Sequence, residues 1–216
     1  MNSDTDKLPD PQAMQTLFEL VWSLGSESRS FARTEILLHA MALFNQKGFQ
    51  QASVQDVLNA AGISRRTFYK YFSNKSDVLV SIYDLALNIM QTRLDHELPS
   101  TEQVSELAAV LVKVYFDYPM SVGPVIGFMI EEAMRSDSPL NALRLAGEAK
   151  IVLSLQRELR RLQGQAPSVW TLKSLIWSLQ LATLELFQTQ RMLPEDVAMA
   201  MQGMQELAGV MLYEHR

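Results

Sequence analysis

Between Ser53 and Lys75 the chain reads SVQDVLNAAGISRRTFYKYFSNK, which sets Arg65, Arg66 and Lys70 close beside Thr67 and Tyr69. Cationic side chains at this density neutralise phosphates, and an arginine can also read a guanine edge with two parallel N–H donors. A helix carrying them is too short to be stable alone and too basic to be buried. Its use is to lie in the major groove of duplex DNA while a neighbouring helix braces it. Other chemistries lack their residues. The chain has no cysteine, which excludes disulfides and thiolate metal sites. His39, His96 and His215 are too scattered for a metal site. No nucleophile–base pair, metal spacing or phosphate loop is found, so the expectation is no enzyme, no cofactor and no metal.

The elements that position these cations can be read locally. Ser53 with Asp56 fits a helix start in which a hydroxyl and a carboxylate satisfy open amide donors. Val54, Val57, Leu58 and Ala61 supply one apolar face, and Gly62 falls where the helix must stop. Ile63 plugs the gap between the helices, and Ser64 caps the next one. There Phe68, Tyr71 and Phe72 face inward, which leaves Arg65, Arg66, Thr67, Tyr69 and Lys70 outward. Asn74 with Asp77 starts a further helix in the same style. Lys75 in its first turn opposes the helix dipole, and a nearby phosphate would explain it.

Charge follows the same division. Residues 1–27 carry a net −4, residues 28–76 a net +5 and the remainder a net −6, within a chain total of −5. All the positive excess lies in the candidate DNA-reading segment, as phosphate binding requires.

Arg33, Ile36, Leu37, Ala40, Leu43, Phe44 and Gly48-Phe49, followed by Val57, Ala61-Gly62-Ile63-Ser64, Thr67-Phe68-Tyr69, Tyr71-Phe72 and Lys75, resemble the DNA-binding domain of the tetracycline-repressor (TetR) family of bacterial transcription regulators. The resemblance implies that Arg65, Arg66 and Lys70 face base edges. It implies phosphate contacts from Thr67, Tyr69 and Lys75, joined by Ser53 and Gln55, with Ser64 counted in the same surface. It further implies a homodimer on a palindromic double-stranded operator and, as the usual input, a small-molecule effector.

The rest of the sequence is helical by period, giving an all-α fold: an N-terminal three-helix helix-turn-helix domain and a larger C-terminal helical domain for dimerisation and ligand binding. The expected divisions are 1–27, an acidic extension; 28–76, the DNA-binding domain with its helix-turn-helix at about 53–72; and 77–216, the larger domain. Helices are predicted at 74–96, 101–117, 120–135, 138–163, 168–191 and 194–213. Prolines open two of these, at Ser138-Pro139 and Leu193-Pro194. The last two helices are apolar beyond a single core-facing stripe, which marks Leu179, Phe187, Met204, Leu207 and Met211 as dimer-interface candidates. Met90, Tyr115, Phe116, Phe128, Met129 and Trp177 either line an apolar ligand cavity or form the core.

Residues 11–24 read as an amphipathic helix through Met14, Leu17, Phe18, Val21 and Trp22. It would cover its own DNA-binding domain, dock on the partner subunit or stay mobile until DNA binds. Arg29 and Arg33 beyond it are placed to reach phosphates or a minor groove. No membrane span is expected, because no run of about 20 apolar residues occurs, and membrane association is disfavoured because the 11–24 helix lacks lysine and arginine on its polar face; a cytoplasmic location is the default. The sequence therefore supports a dimeric DNA-binding regulator, most often a ligand-released repressor in this family. The alternatives are a transcription activator or a DNA-bound adaptor acting through protein contacts.

Overall fold

The computed structural model describes residues 31–189 and 193–213; the predicted helix over 11–24, and Arg29, lie outside them. The described residues form α1 (Phe31–Lys47), α2 (Val54–Ala61), α3 (Arg65–Tyr71), α4 (Lys75–Glu97), a 3-10 turn (Leu98–Ser100), α5 (Val104–Val122), α6 (Val125–Met134), α7 (Pro139–Gln163), α8 (Val169–Gln188) and α9 (Pro194–Leu212). No strand occurs among them. The fold is all-α, with an N-terminal helix-turn-helix and a larger helical region after it.

Two compact units divide the chain. One holds the described residues through Ala86 together with Val122–Val125; the other holds Leu87–Ser121 and the residues from Ile126 onward. The expected boundary at 76/77 falls in the first turn of α4, which runs unbroken through both units.

In the smaller unit, Ile36, Ala40 and Phe44 of α1 are buried with Val57 of α2, Phe68 of α3, Phe72, and Val78 and Ile82 of α4. The end of α1 is marked by Gly48, whose amide donates to the Phe44 carbonyl at 2.9 Å. The start of α4 is fixed by Asn74 Oδ1, which accepts from the Asp77 amide at 2.9 Å, and by Asp77 Oδ2, which accepts from the Ser73 amide at 2.9 Å.

The larger unit has a leucine-rich core: Leu94 of α4, Leu107 and Leu111 of α5, Leu155 and Leu159 of α7, Leu172, Leu175 and Leu179 of α8 and Leu212 of α9. Two carboxylates on α7 are buried with it. Glu158 accepts from Arg157 at 2.8 Å and from Arg161 at 2.7 Å. Burial pushes its carboxyl up, yet these hydrogen bonds outweigh that effect and hold it below its usual value. Glu148 accepts from Arg144 at 3.2 Å and from the Trp177 indole at 2.7 Å, and it pairs with Lys173 at 2.9 Å. Arg144 also donates to the Ala133 carbonyl, at 3.1 Å, near the end of α6.

The break predicted between 117 and 120 is displaced. α5 continues through Pro119 to Val122, and the chain turns at Gly123-Pro124 instead. Proline inside a helix removes the amide that would bond the carbonyl one turn back, here that of Tyr115. The buried hydroxyl of Thr183 on α8 shares its one proton between the Leu179 carbonyl of its own helix, at 3.0 Å, and the Tyr115 carbonyl, at 3.3 Å, so a donor from α8 stands beside the turn that the proline weakens.

Candidate nucleic-acid interface

α2 begins in a closed capping box. Ser53 Oγ accepts from the Asp56 amide at 3.1 Å, and Asp56 Oδ2 accepts from the Ser53 amide at 2.8 Å. Lys47 adds a bond to the same carboxylate at 2.7 Å. The Lys47 ammonium first, and Ser53 after it, hold the Asp56 carboxyl far below the usual carboxylate range. α2 ends at Gly62, whose φ of 61° is the left-handed conformation open to glycine. The Ile63 amide then reaches back to the Leu58 carbonyl at 3.1 Å, so the turn is fully hydrogen-bonded. Ser64 caps α3 by accepting from the Thr67 amide at 3.1 Å, and the two hydroxyls lie 2.9 Å apart.

On α3, Phe68 is wholly buried, while Arg65, Arg66, Tyr69 and Lys70 are exposed. Positions 65–66 and 69–70 stand one helical turn apart and therefore share a face. Arg65 donates to Gln55 Oε1 at 3.0 Å, and Gln55 Nε2 donates to Asn59 at 3.0 Å, so a polar chain ties the two helices together. Lys70 leans over the Tyr71 ring, 5.2 Å from its centre. Tyr71, expected inward, is only half-buried.

Two cations placed at phosphates from the sequence are used otherwise. Lys75 donates to the carbonyls of Phe49 and Ala52 at 2.8 Å and of Gln50 at 3.2 Å, and it stands over the Phe49 ring. These are carbonyls of the α1–α2 loop, so the cation in the first turn of α4 is explained inside the protein and needs no phosphate. Arg33 is part-buried: it donates to Ser81 at 3.0 Å and stacks on the Phe72 ring at 5.3 Å. Lys47 and Asn45 were missed. Neither carries a local signal, since their partners lie nine and about 80 residues away.

The other expected sites also need revision. Met90, Tyr115, Phe116 and Met129 are buried core, whereas Phe128 and Trp177 are half-buried. Trp177 points its N–H at Glu148, which gives it a defined polar partner. Leu179 cannot face a second subunit, because it is wholly buried within its own chain. Phe187 is half-buried, and its Cβ lies so near Gly127 of α6 that a β-carbon there would come within 2.9 Å. Met204, Leu207 and Met211 are partly buried against the core. The exposed apolar side chains of α8 and α9 are instead Val169, Trp170, Leu181, Met199 and Val210. Among the described residues no three His, Asp or Glu gather as a metal ion would need, and no helix is long and apolar enough to cross a membrane.

Residues 36–82 match the family model described as bacterial regulatory proteins, tetR family. The transcriptional regulator EthR of Mycolicibacterium smegmatis is 40% identical over 65 residues, 30% of this chain and 30% of its own. The chain spans 30–42% of the length of the first three curated relatives it matches, each of which is named a regulator. Solved structures extend the likeness of fold further. The fatty acid degradation regulator FadR from Bacillus halodurans superposes with a TM-score of 0.72 at 19% identity, covering 88% of this chain and 100% of that one. FadR from Bacillus subtilis, solved in complex with stearoyl-CoA, gives 0.69 at 16% identity, covering 83% and 99%. With a capped helix-turn-helix matched by the family model and a helical fold beyond it like that of the solved regulators, residues 36–82 of the chain form a DNA-binding module of the tetracycline-repressor family.

Proposed function

We propose that the protein is a homodimeric, cytoplasmic repressor that holds a palindromic DNA operator through α3 and releases it on binding a small apolar or amphipathic ligand. The observation that carries the reading is the α2–α3 pair: cations exposed on a short helix whose opposite side is anchored by the buried Phe68. Residues 28–76 serve as the reading domain and 77–216 as the ligand and dimerisation domain. One helix of this length contacts too few base pairs to select a site, so two copies must act together, with half-sites about 34–36 Å apart. Trp170, Leu181, Met199 and Val210, exposed on α8 and α9, support pairing through that face.

The ligand class draws support from the stearoyl-CoA complex of the Bacillus subtilis FadR. Footprinting on the DNA flanking its own coding sequence is expected to show two protected half-sites. Stearoyl-CoA is expected to weaken that complex at least tenfold, which needs about 1.4 kcal/mol of preference for the released form. A chain that protects no DNA defeats the reading. Protection that stearoyl-CoA leaves unchanged removes this ligand class while keeping the regulator.

A further inference from the structure

Asn45 stands in the last turn of α1, and both ends of its amide are taken by one stretch of chain. Its Nδ2 donates to the Val122 carbonyl at 2.8 Å, and its Oδ1 accepts from the Val125 amide at 2.6 Å. Between those residues lies Gly123, at a φ of 91°, where a β-carbon would come within 3.1 Å of Asn45 Nδ2. Backbone conformation and space both call for glycine at this elbow. The elbow Val122–Val125 packs with the smaller, DNA-reading unit, whereas the chain before it, through Ser121, and after it, from Ile126, belongs to the larger one. Besides α4, the polypeptide therefore passes between the units twice more, and Asn45 grips it where it does.

Two further features give this grip a direction. Upstream, Pro119 deprives α5 of a backbone bond in the turn before the elbow, and the Thr183 hydroxyl of α8, shared with the Leu179 carbonyl of its own helix at 3.0 Å, replaces it only in part at the Tyr115 carbonyl, 3.3 Å away. A turn missing a ladder bond is where a helix bends most readily. Downstream, Lys47 lies two residues after Asn45 and bonds Asp56, the carboxylate that closes the cap of α2. A shift of the elbow thus reaches the first helix of the helix-turn-helix through one turn of α1.

We propose that Asn45 is a coupling latch: rearrangement of α5 and α6 is passed through the Val122–Val125 elbow to α1, and from there to α2 and α3. This goes beyond the regulator reading, which names no route between ligand and DNA-reading helices, and it requires no ligand to be known. The physical warrant for coupling is an energetic cycle rather than spatial intermediacy. Hydrogen exchange of the full chain in four forms supplies it: unchanged, P119A, N45A and the double variant. Alanine at 119 restores the missing amide and stiffens the turn before the elbow. Expected is a change of about threefold or more in exchange at the α2 and α3 amides on P119A. That change should vanish in the N45A background. General loosening by N45A would act equally with and without P119A and so cancels in the cycle. An equal P119A effect in both backgrounds, or none in either, overturns the latch. If N45A does not fold, N45D retains the acceptor for the Val125 amide and loses the donor to Val122. The P119A effect should then fall by at least half, and an undiminished effect overturns the proposal.

Discussion

The ammonium of Lys75 lies 2.8 Å from the carbonyl oxygen of Phe49 and 4.6 Å from the centre of the same residue's ring. One side chain at the start of α4 thereby closes the loop that leads from α1 into α2. Lys75→Met keeps the stem and removes the charge, leaving three carbonyls without their donor. We expect a loss of about 1–3 kcal/mol in the stability of the smaller unit. The salt dependence of DNA binding by the fraction that stays folded should be unchanged. A melting temperature equal to the parent's, together with a shallower salt slope, would return Lys75 to the phosphates.

Arg66 and Lys70 share the exposed face of α3, and Arg65 is tied to Gln55 across the turn. Arg66→Ala is expected to cost about 1–3 kcal/mol of discrimination at one base pair if it reads guanine. Arg65→Ala should relax specificity as well, whereas Gln55→Ala should free Arg65 and change the same base preference. Selection of bound sequences from a random pool measures all three. Identical preferences in parent and variants would exclude this face from base reading.

Apolar exposure separates interface from core on α8 and α9. Leu181→Asp or Val210→Asp should give a folded monomer that has lost operator affinity, because a charge at a subunit contact opposes association. Leu179→Asp should prevent folding, since its site lies wholly inside one chain. Sedimentation and circular dichroism distinguish the two results. Dimeric L181D and V210D proteins would place the contact on another face.

Asp56 links stability to acid. Its folded carboxyl is held below the unfolded value of about 3.9 by Lys47 and Ser53. The stabilisation is therefore complete above about pH 4 and is lost as pH falls toward the folded pKa. Asp56→Asn should flatten the acid limb of a stability–pH curve for the smaller unit and leave the curve above pH 5 parallel to the parent's. An unchanged acid limb would show that Asp56 titrates as an ordinary surface carboxylate.

Thr183→Val removes the hydroxyl that is shared between the Leu179 and Tyr115 carbonyls while keeping the side chain's shape. In the parent this should cost about 1–3 kcal/mol. In a P119A background, where a backbone amide is again present, the cost should be smaller. Urea denaturation of the four proteins tests this, and equal costs in both backgrounds would dissociate Thr183 from the proline.

The pattern of agreement between sequence and structure follows the range of the interactions. Ser53 with Asp56, Gly62 at its helix end, and Ser64 with Thr67 were legible because each acts within a few residues, where spacing fixes geometry. Lys75 and Arg33 were misread because their partners lie far off in sequence, and an isolated cation resembles one waiting for a phosphate. Leu179 was taken for interface because periodicity reveals an apolar side without saying what covers it. Pro119 suggested a break because the donor that stands beside its weakened turn sits on α8. Asn45 gave no signal at all: one amide among helical neighbours says nothing of the elbow it holds.

Glu148 bears on alignment. α7 and α8 meet through leucines, and a slide of one turn, about 5.4 Å, would again set leucine against leucine. The same slide would strip the wholly buried Glu148 carboxylate of Lys173 and Trp177, both of which belong to α8. Arg144 lies on α7 and would move with Glu148, but a buried carboxylate that loses two of its three donors is still penalised more than a change of leucine neighbours. On this hypothesis an E148L protein, in which Arg144, Lys173 and the Trp177 N–H lose their acceptor, melts below the parent and loses the sharp near-ultraviolet dichroism of a uniquely packed Trp177; an intact spectrum would count against it. Greasy helices tolerate many sliding positions, and a single ionic peg driven through two of them admits one.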